Sequence, residues 1–164
     1  MSVLEVVEKF VSINGEGTKA GQLAVFIRFK GCNLNCKYCD TKWANEADAT
    51  AQQMTKEDIL EYVLSTGVKN VTLTGGEPLL RDGIEDVIEC LADNNMNVEI
   101  ETNGSIPLDN IRKLHKDNVT FTMDYKLSCS GMEQAMRLEN FSVLNKNDTV
   151  KFVAGCNEDL VRTK

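Results

Sequence analysis

The chain is 164 residues long, with 18 basic and 25 acidic side chains, one histidine, six cysteines and two prolines. That length predicts a single domain, residues 1–164, and a hydrophobic fraction of 42% is enough for a packed core. A net charge of −7 argues against nucleic acid as a partner; no apolar run approaches the roughly 20 residues that span a bilayer, and Met1-Ser2-Val3-Leu4-Glu5 lacks a signal-peptide layout, so a soluble, cytoplasmic protein with no membrane partner is expected.

Short β-branched runs alternate with amphipathic stretches, and no linker or low-complexity segment interrupts them. Leu23 to Phe29 reads as a buried strand that runs straight into a cysteine loop. Thr55-Lys56-Glu57-Asp58 resembles a capping box with Asp in its fourth place. It predicts a helix with Ile59, Leu60, Val63 and Leu64 on its apolar face and Gly67 as C-cap. Val71 to Thr74 is a second strand, followed by Gly75-Gly76-Glu77-Pro78. Asp82-x-x-Glu85 opens another helix, with Ile84, Val87, Ile88 and Leu91 inward. Val98 to Thr102 is a third strand, ended by Asn103-Gly104. Shorter helices are expected over Asp109–Lys116 and Met132–Leu138, with strands over Val119–Asp124 and Val150–Val153. Strands alternating with helices predict an α/β fold built on a parallel sheet, with the functional turns gathered at the carboxyl ends of the strands. The chain stops at Asp159–Lys164, where a helix after the fifth strand should begin. It is therefore expected to lack its last βα unit.

Three of the six cysteines, Cys32, Cys36 and Cys39, fall within eight residues, while Cys90, Cys129 and Cys156 are scattered. A reducing compartment argues against a disulfide framework, so the cluster points to metal or redox chemistry. Structural zinc wants four ligands, usually as two pairs, and no second pair or nearby histidine exists here. A three-cysteine loop can instead wrap one corner of a cubane iron–sulfur cluster and leave the fourth iron open, whereas electron carriers usually supply four protein ligands. An open iron can bind and reduce a small molecule. The alternatives are a zinc loop borrowing Cys129 or Cys156, and incidental thiols.

Other positions carry chemistry of their own. Gly75 and Gly76 let backbone approach a ligand, and Glu77 offers an acceptor for an ammonium group; a plain strand-to-helix turn is the alternative. Arg28 sits in an otherwise apolar strand and needs a partner, either a structural Asp or Glu or a substrate carboxylate. Arg28, Lys30, Lys37 and Lys42 against Asp40 form a basic island suited to anionic ligands and to an acidic electron donor such as flavodoxin. For the three lysines ordinary solvation is the preferred reading. His115 reads as a surface residue, and Met132 and Met136 as core packing.

Cys-x3-Cys-x2-Cys, with Tyr38 before the last cysteine, resembles the signature of the radical S-adenosylmethionine (SAM) superfamily. That resemblance implies a partial (β/α)6 barrel and a [4Fe–4S] cluster whose open iron is chelated by the amino and carboxylate groups of SAM. One-electron reduction of SAM then gives methionine and a 5′-deoxyadenosyl radical. It implies that Gly75-Gly76-Glu77 holds the SAM amino group and that Tyr38 covers the adenine side. Glu101, Thr102 and Asn103 would bond the SAM ribose or carboxylate, with a capped turn as the alternative.

Further residues narrow the likeness. Phe10-Val11-Ser12-Ile13-Asn14-Gly15-Glu16-Gly17, Gly21, Val25-Phe26-Ile27-Arg28, Cys39-Asp40-Thr41-Lys42-Trp43, Leu73–Pro78, Val98–Gly104 and Met123-Asp124-Tyr125-Lys126 resemble the 7-carboxy-7-deazaguanine synthase family of queuosine biosynthesis. The resemblance implies a radical lyase that contracts the ring of 6-carboxy-5,6,7,8-tetrahydropterin to 7-carboxy-7-deazaguanine. Ammonia is lost, SAM is used catalytically and Mg2+ is present. By motif position Ile13, Asn14 and Gly15 line the pterin, Arg28 clamps its carboxylate and Thr74 touches it. Thr41 binds magnesium, a hard cation suited to a hydroxyl oxygen; Asp40 lies beside the cofactor, Gly76 contacts SAM, and Asp124, Tyr125 and Lys126 form a cofactor-side turn. A homodimer is implied as well. Two rivals stand: a glycyl-radical-enzyme activase, which has no evident need for Gly15-Glu16-Gly17 or Arg28, and a non-catalytic iron–sulfur or metal protein, which would need a fourth protein ligand.

Overall fold

Strands whose residues alternate between apolar and hydroxyl or acidic side chains set the architecture, because successive side chains leave a strand on opposite faces. In the computed structural model, which describes residues 2–164, this alternation is read in β4 (Asn70–Gly75), β5 (Asn97–Thr102) and β6 (Val119–Tyr125). Val71, Leu73, Val98, Ile100, Phe121 and Met123 all join the hydrophobic core. Their neighbours Thr72, Thr74, Glu99, Glu101, Thr122 and Asp124 take the opposite, concave face. The core lies between the sheet and two helices, α1 (Lys56–Thr66) and α2 (Ile84–Asp93), which contribute Ile59, Val63, Ile84, Val87, Ile88 and Leu91.

Seven strands form one sheet in the order β3-β1-β2-β4-β5-β6-β7. From β2 (Leu23–Phe29) through β7 (Thr149–Phe152) every pairing is parallel. The five expected strands are all present as this α/β parallel core. Two were not anticipated: β1 (Leu4–Ile13) and β3 (Gln52–Met54) add an antiparallel edge before β2. A register shift between Val6 and Glu8 changes the phase of β1 partway along, so its sequence does not show one uninterrupted period of two.

The Thr55 capping box forms as expected. Thr55 Oγ1 accepts from the Asp58 N–H at 3.2 Å, and Asp58 Oδ2 accepts from the Thr55 N–H at 2.8 Å. Gly67 closes α1 in the left-handed conformation (φ 71°). Leu64, expected on the apolar face, is instead exposed. The start of α2 also differs, since Gly83 (φ 84°) and not Asp82 occupies the N-cap. α3 (Asp109–Arg112) is shorter than expected, the chain reaching left-handed geometry at the exposed His115 (φ 52°). Met132–Leu138 is not an α-helix but two short 3-10 turns, Glu133–Ala135 and Leu138–Ser142. Extended backbone at Met136 and Arg137 separates them. The buried Asn140 anchors this segment by donating to Gly104 O and Ile106 O and accepting from the Leu108 N–H.

Cysteine pairing departs from expectation. Cys129 and Cys156 are joined as a disulfide. Because β6 and β7 are parallel neighbours, the loops leaving their carboxyl ends run side by side and carry the two residues together. Asp159, in α4 (Asn157–Arg162), accepts from Ser128 Oγ and from the Cys129 and Gly155 N–H groups, which locks that arrangement.

Candidate active site

Parallel strands place the loops that follow them at one rim, and a cleft of about 430 Å³ opens there. The cysteine loop follows β2 and enters it with Cys32, Cys36 and Cys39, together with Tyr38, Asp40 and Thr41. Gly75 and Gly76 arrive from β4, and Thr102 and Asn103 from β5. Asp124 and Lys126 arrive from β6. Arg28, Thr74 and Glu101 project from the concave face of their strands into the same cleft. These are the residues that the sequence brings forward for one site, and the fold does bring them together.

The glycine pair earns its place through packing. A Cβ on Gly76 would meet Gly31 O at 2.0 Å, and one on Gly75, whose φ is 139°, would meet Phe29 O at 2.3 Å. The two glycines therefore let the β4 loop lie directly against the root of the cysteine loop, where the Gly76 and Glu77 N–H groups bond Phe29 O and Gly31 O. Substituting Ala for Gly76 should cost about 1–3 kcal/mol by overpacking and lower cluster occupancy with it, measurable by thermal unfolding and iron content.

Five expected site residues lie elsewhere. Glu77 is fully buried behind the glycine turn. Its carboxylate accepts from Thr102 Oγ1 (2.9 Å), the Leu79 N–H (3.1 Å) and the Asn103 N–H (2.7 Å), so it ties the end of β4 to the end of β5 and does not face the cleft. Tyr125 turns away from Asp124 and packs on Phe141 and Phe152, as strand alternation requires. Ile13 is exposed at the end of β1, and Gly15 faces open space. Asn14 is 1% exposed and points beneath the cleft. The residue of that loop that does reach the cleft is Glu16, and Asn45, Thr122 and Lys151 also line it. Alternation along β6 and β7 was the available signal for Thr122 and Lys151; Asn45 carried none.

Burial pushes the Glu77 carboxyl up to about 7, against the pull of its three hydrogen bonds and of Lys126. A raised carboxyl keeps its proton longer in the folded chain than in the unfolded one. Its contribution to stability is thus complete below its ordinary value of 4.5 and is lost as pH rises through about 7. The loss should be on the order of 3 kcal/mol. Unfolding free energies of the wild type and Glu77→Gln, followed from pH 5 to 8, should show a decline in the wild type that is markedly shallower in the variant.

Charges at the rim are cross-linked. Asp124 Oδ2 accepts from Lys126 Nζ at 2.8 Å and from Lys151 Nζ at 3.3 Å, and Lys151 also holds Glu16 at 2.7 Å. Burial alone would lower the Lys151 ammonium, but Glu16 and Asp124 hold it above its ordinary value. Burial raises the Glu101 carboxyl, opposed by a hydrogen bond from Thr74 and assisted by Glu16 and Glu99. Of the basic island, Lys37 and Lys42 are exposed and solvated, while Lys30 is tied to Ala47 O and Ala49 O.

The residues present fit an iron–sulfur cluster and a polar cofactor beside it. Among the described residues, the sulfurs of Cys32, Cys36 and Cys39 do not all lie within 4.8 Å of one another. The three loop sulfurs are spread more widely than the ligands of a single ion, as a cluster requires. Cys32 and Cys36 are raised by burial, so taking up metal must drive protons off them. Cys32 Sγ already accepts from the Leu34 N–H (3.4 Å) and Asn103 Nδ2 (3.5 Å), bonds that tune a cluster sulfur. Asn45 Oδ1 and Asp124 Oδ1 are buried in the cleft wall with no hydrogen-bond partner among the described residues, leaving two acceptors for a ligand's N–H or O–H groups.

A cysteine loop at the carboxyl rim of a parallel sheet is joined by a sequence match: the model of the radical SAM superfamily covers residues 26–125, and the chain belongs to that superfamily. The 7-carboxy-7-deazaguanine synthase of Clostridium acetobutylicum is 60% identical over 157 residues, spanning 95% of this chain and 71% of that protein. That of Methanospirillum hungatei is 35% identical, spanning 97% of this chain and 64% of its own length. The crystal structure of QueE from Escherichia coli matches with a TM-score of 0.75 at 25% identity, over 98% of this chain and 76% of that one. Within the superfamily, the chain's family is that of the 7-carboxy-7-deazaguanine synthases.

Proposed function

We propose that the chain converts 6-carboxy-5,6,7,8-tetrahydropterin to 7-carboxy-7-deazaguanine with loss of ammonia, as a radical SAM lyase of queuosine biosynthesis. The observation that carries this reading is Arg28. It lines the cleft from β2, and its Nε is already held by Glu8 Oε2 at 2.9 Å. Of the two partners that the sequence left open, the structural carboxylate is present and orients the guanidinium, whose remaining edge suits a substrate carboxylate. A glycyl-radical activase has no matching need for a fixed arginine beside its cluster.

Cys32, Cys36 and Cys39 hold the cluster, and the bound cluster and SAM supply a 5′-deoxyadenosyl radical by one-electron reduction. The chain's own groups bind and orient. Asn103, Asn45 and Asp124 offer polar contacts to SAM, and the Tyr38 ring, fixed by its hydroxyl donating to Val153 O at 3.2 Å, covers it. Thr74 and Glu101 face the pterin side. Thr41, whose Oγ1 lies 3.6 Å from Cys39 Sγ, supplies Mg2+ with one oxygen, the rest coming from water and substrate. Lys37 and Lys42, exposed at the cluster loop, suit an acidic flavodoxin-like reductant. Among the described residues no helix is long and apolar enough to cross a membrane. A cytoplasmic location and a homodimer are part of the same proposal.

Anaerobically reconstituted protein given SAM, dithionite, Mg2+ and 6-carboxytetrahydropterin should accumulate 7-carboxy-7-deazaguanine beyond the SAM consumed, as read by mass spectrometry. Only 5′-deoxyadenosine and methionine would mean that the radical site stands and the substrate reading fails.

A further inference from the structure

Beneath the cleft lies a carboxylate that the reaction does not use. Glu99, on the concave face of β5, is 4% exposed, and no lysine or arginine pairs with it among the described residues. It accepts instead from Asn14 Nδ2, from Thr122 Oγ1 and, at 3.4 Å, from Thr72 Oγ1. A buried carboxyl group with no cationic partner is costly and is retained only where its hydrogen bonds are needed.

The Glu16 N–H can only donate, so the Asn14 amide has a single satisfied orientation: Nδ2 toward the Glu99 carboxyl oxygens. Its Oδ1 must then point the other way, where it accepts from the Glu16 N–H at 3.1 Å. That bond shapes the turn that delivers the Glu16 side chain to the cleft and to Lys151. Gly17 closes the same turn over the carboxylate. Its φ is 65°, and a Cβ there would stand 1.8 Å from Glu99 Oε1 and 2.5 Å from Thr122 Oγ1. Within the motif Gly15-Glu16-Gly17, Gly17 thus packs directly on Glu99.

We propose that Glu99 is a positioning residue: through the Asn14 amide it fixes the one conformation of the 14–17 turn in which Glu16 faces the substrate. The assignment of that turn to substrate rests on the function proposed above; the bracket itself does not.

Polarity reversal tests it. Glu99→Gln replaces an acceptor-only group with one that can also donate, so the Asn14 amide gains a second orientation. Asn14→Asp sets carboxylate against carboxylate. Combined, the two restore one donor facing one acceptor, and the introduced carboxylate still accepts from the Glu16 N–H. In the reconstituted enzyme, amide hydrogen exchange at Glu16 should quicken about tenfold or more in each single variant and recover in the double. KM for 6-carboxytetrahydropterin should rise about tenfold in Glu99→Gln and recover in the double. Reductive SAM cleavage without substrate should stay at the wild-type rate in Glu99→Gln. Unchanged exchange in the single variants, or no recovery in the double, overturns the bracket. Altered exchange with an unchanged KM overturns the link to substrate. If the wild type does not turn over this pterin, the proposed function fails, and exchange alone still decides whether Glu99 sets the turn.

Discussion

Alanine at Cys32, Cys36 or Cys39 should abolish cluster assembly, whereas alanine at Cys90, Cys129 or Cys156 should leave it intact. Iron and sulfide content and visible absorbance after anaerobic reconstitution check both halves. The first half follows from the count: three thiolates are all that the loop offers, and a cubane held by two has two open corners. The second follows from where the other sulfurs sit. Cys129 and Cys156 are bonded to each other and flanked by Asp159, whose oxygens are occupied by Ser128, Cys129 and Gly155. Cys90 lies on α2. Loss of the cluster in Cys129→Ala or Cys156→Ala would supply the fourth protein ligand that a non-catalytic iron–sulfur protein requires. Because burial raises Cys32 and Cys36, cluster occupancy at limiting iron should also increase with pH.

The parallel core was legible because its strands obey one rule without interruption. Val71-Thr72-Leu73-Thr74, Val98-Glu99-Ile100-Glu101 and Phe121-Thr122-Met123-Asp124 send apolar residues to the helices and polar ones to the opposite face, where Thr74, Glu101, Thr122 and Asp124 reach the cleft. The same rule, carried one residue further, turns Tyr125 outward onto Phe141 and Phe152. Motif position placed it in the cofactor turn; strand phase places its ring on the other side. β1 was hidden by the phase change after Val6. Glu77 and Asn14 illustrate a different limit. Each is polar, each adjoins glycine, and each folds inward because of partners distant in sequence: Asn103 on one side and Glu99 on the other. Spacing along a chain cannot report how closely two strand ends approach. The Cys129–Cys156 pairing is of the same kind, since it depends on β6 and β7 being neighbours.

Alanine at Arg28 should lower kcat/KM for the pterin by about 100-fold or more, since a paired charge-assisted contact is worth roughly 1.5–3 kcal/mol per hydrogen bond. Reductive cleavage of SAM without substrate should survive at the wild-type rate, because Arg28 touches neither the cysteine loop nor the glycine turn through any hydrogen bond among the described residues. Lysine should recover little, as a point charge cannot reproduce the fork that holds Glu8 with one edge and a carboxylate with the other. Glu8→Gln separates orientation from binding. It keeps an acceptor near Nε but removes the charge, so KM should rise by a few-fold only. Were cluster content and SAM cleavage to fall together with turnover in Arg28→Ala, the guanidinium would be serving the fold: its pairing with Glu8 joins β1 to β2 directly opposite each other in register. Survival of the radical chemistry with loss of the ring contraction would instead locate the substrate carboxylate between β2 and β4, where Arg28 and Thr74 stand side by side.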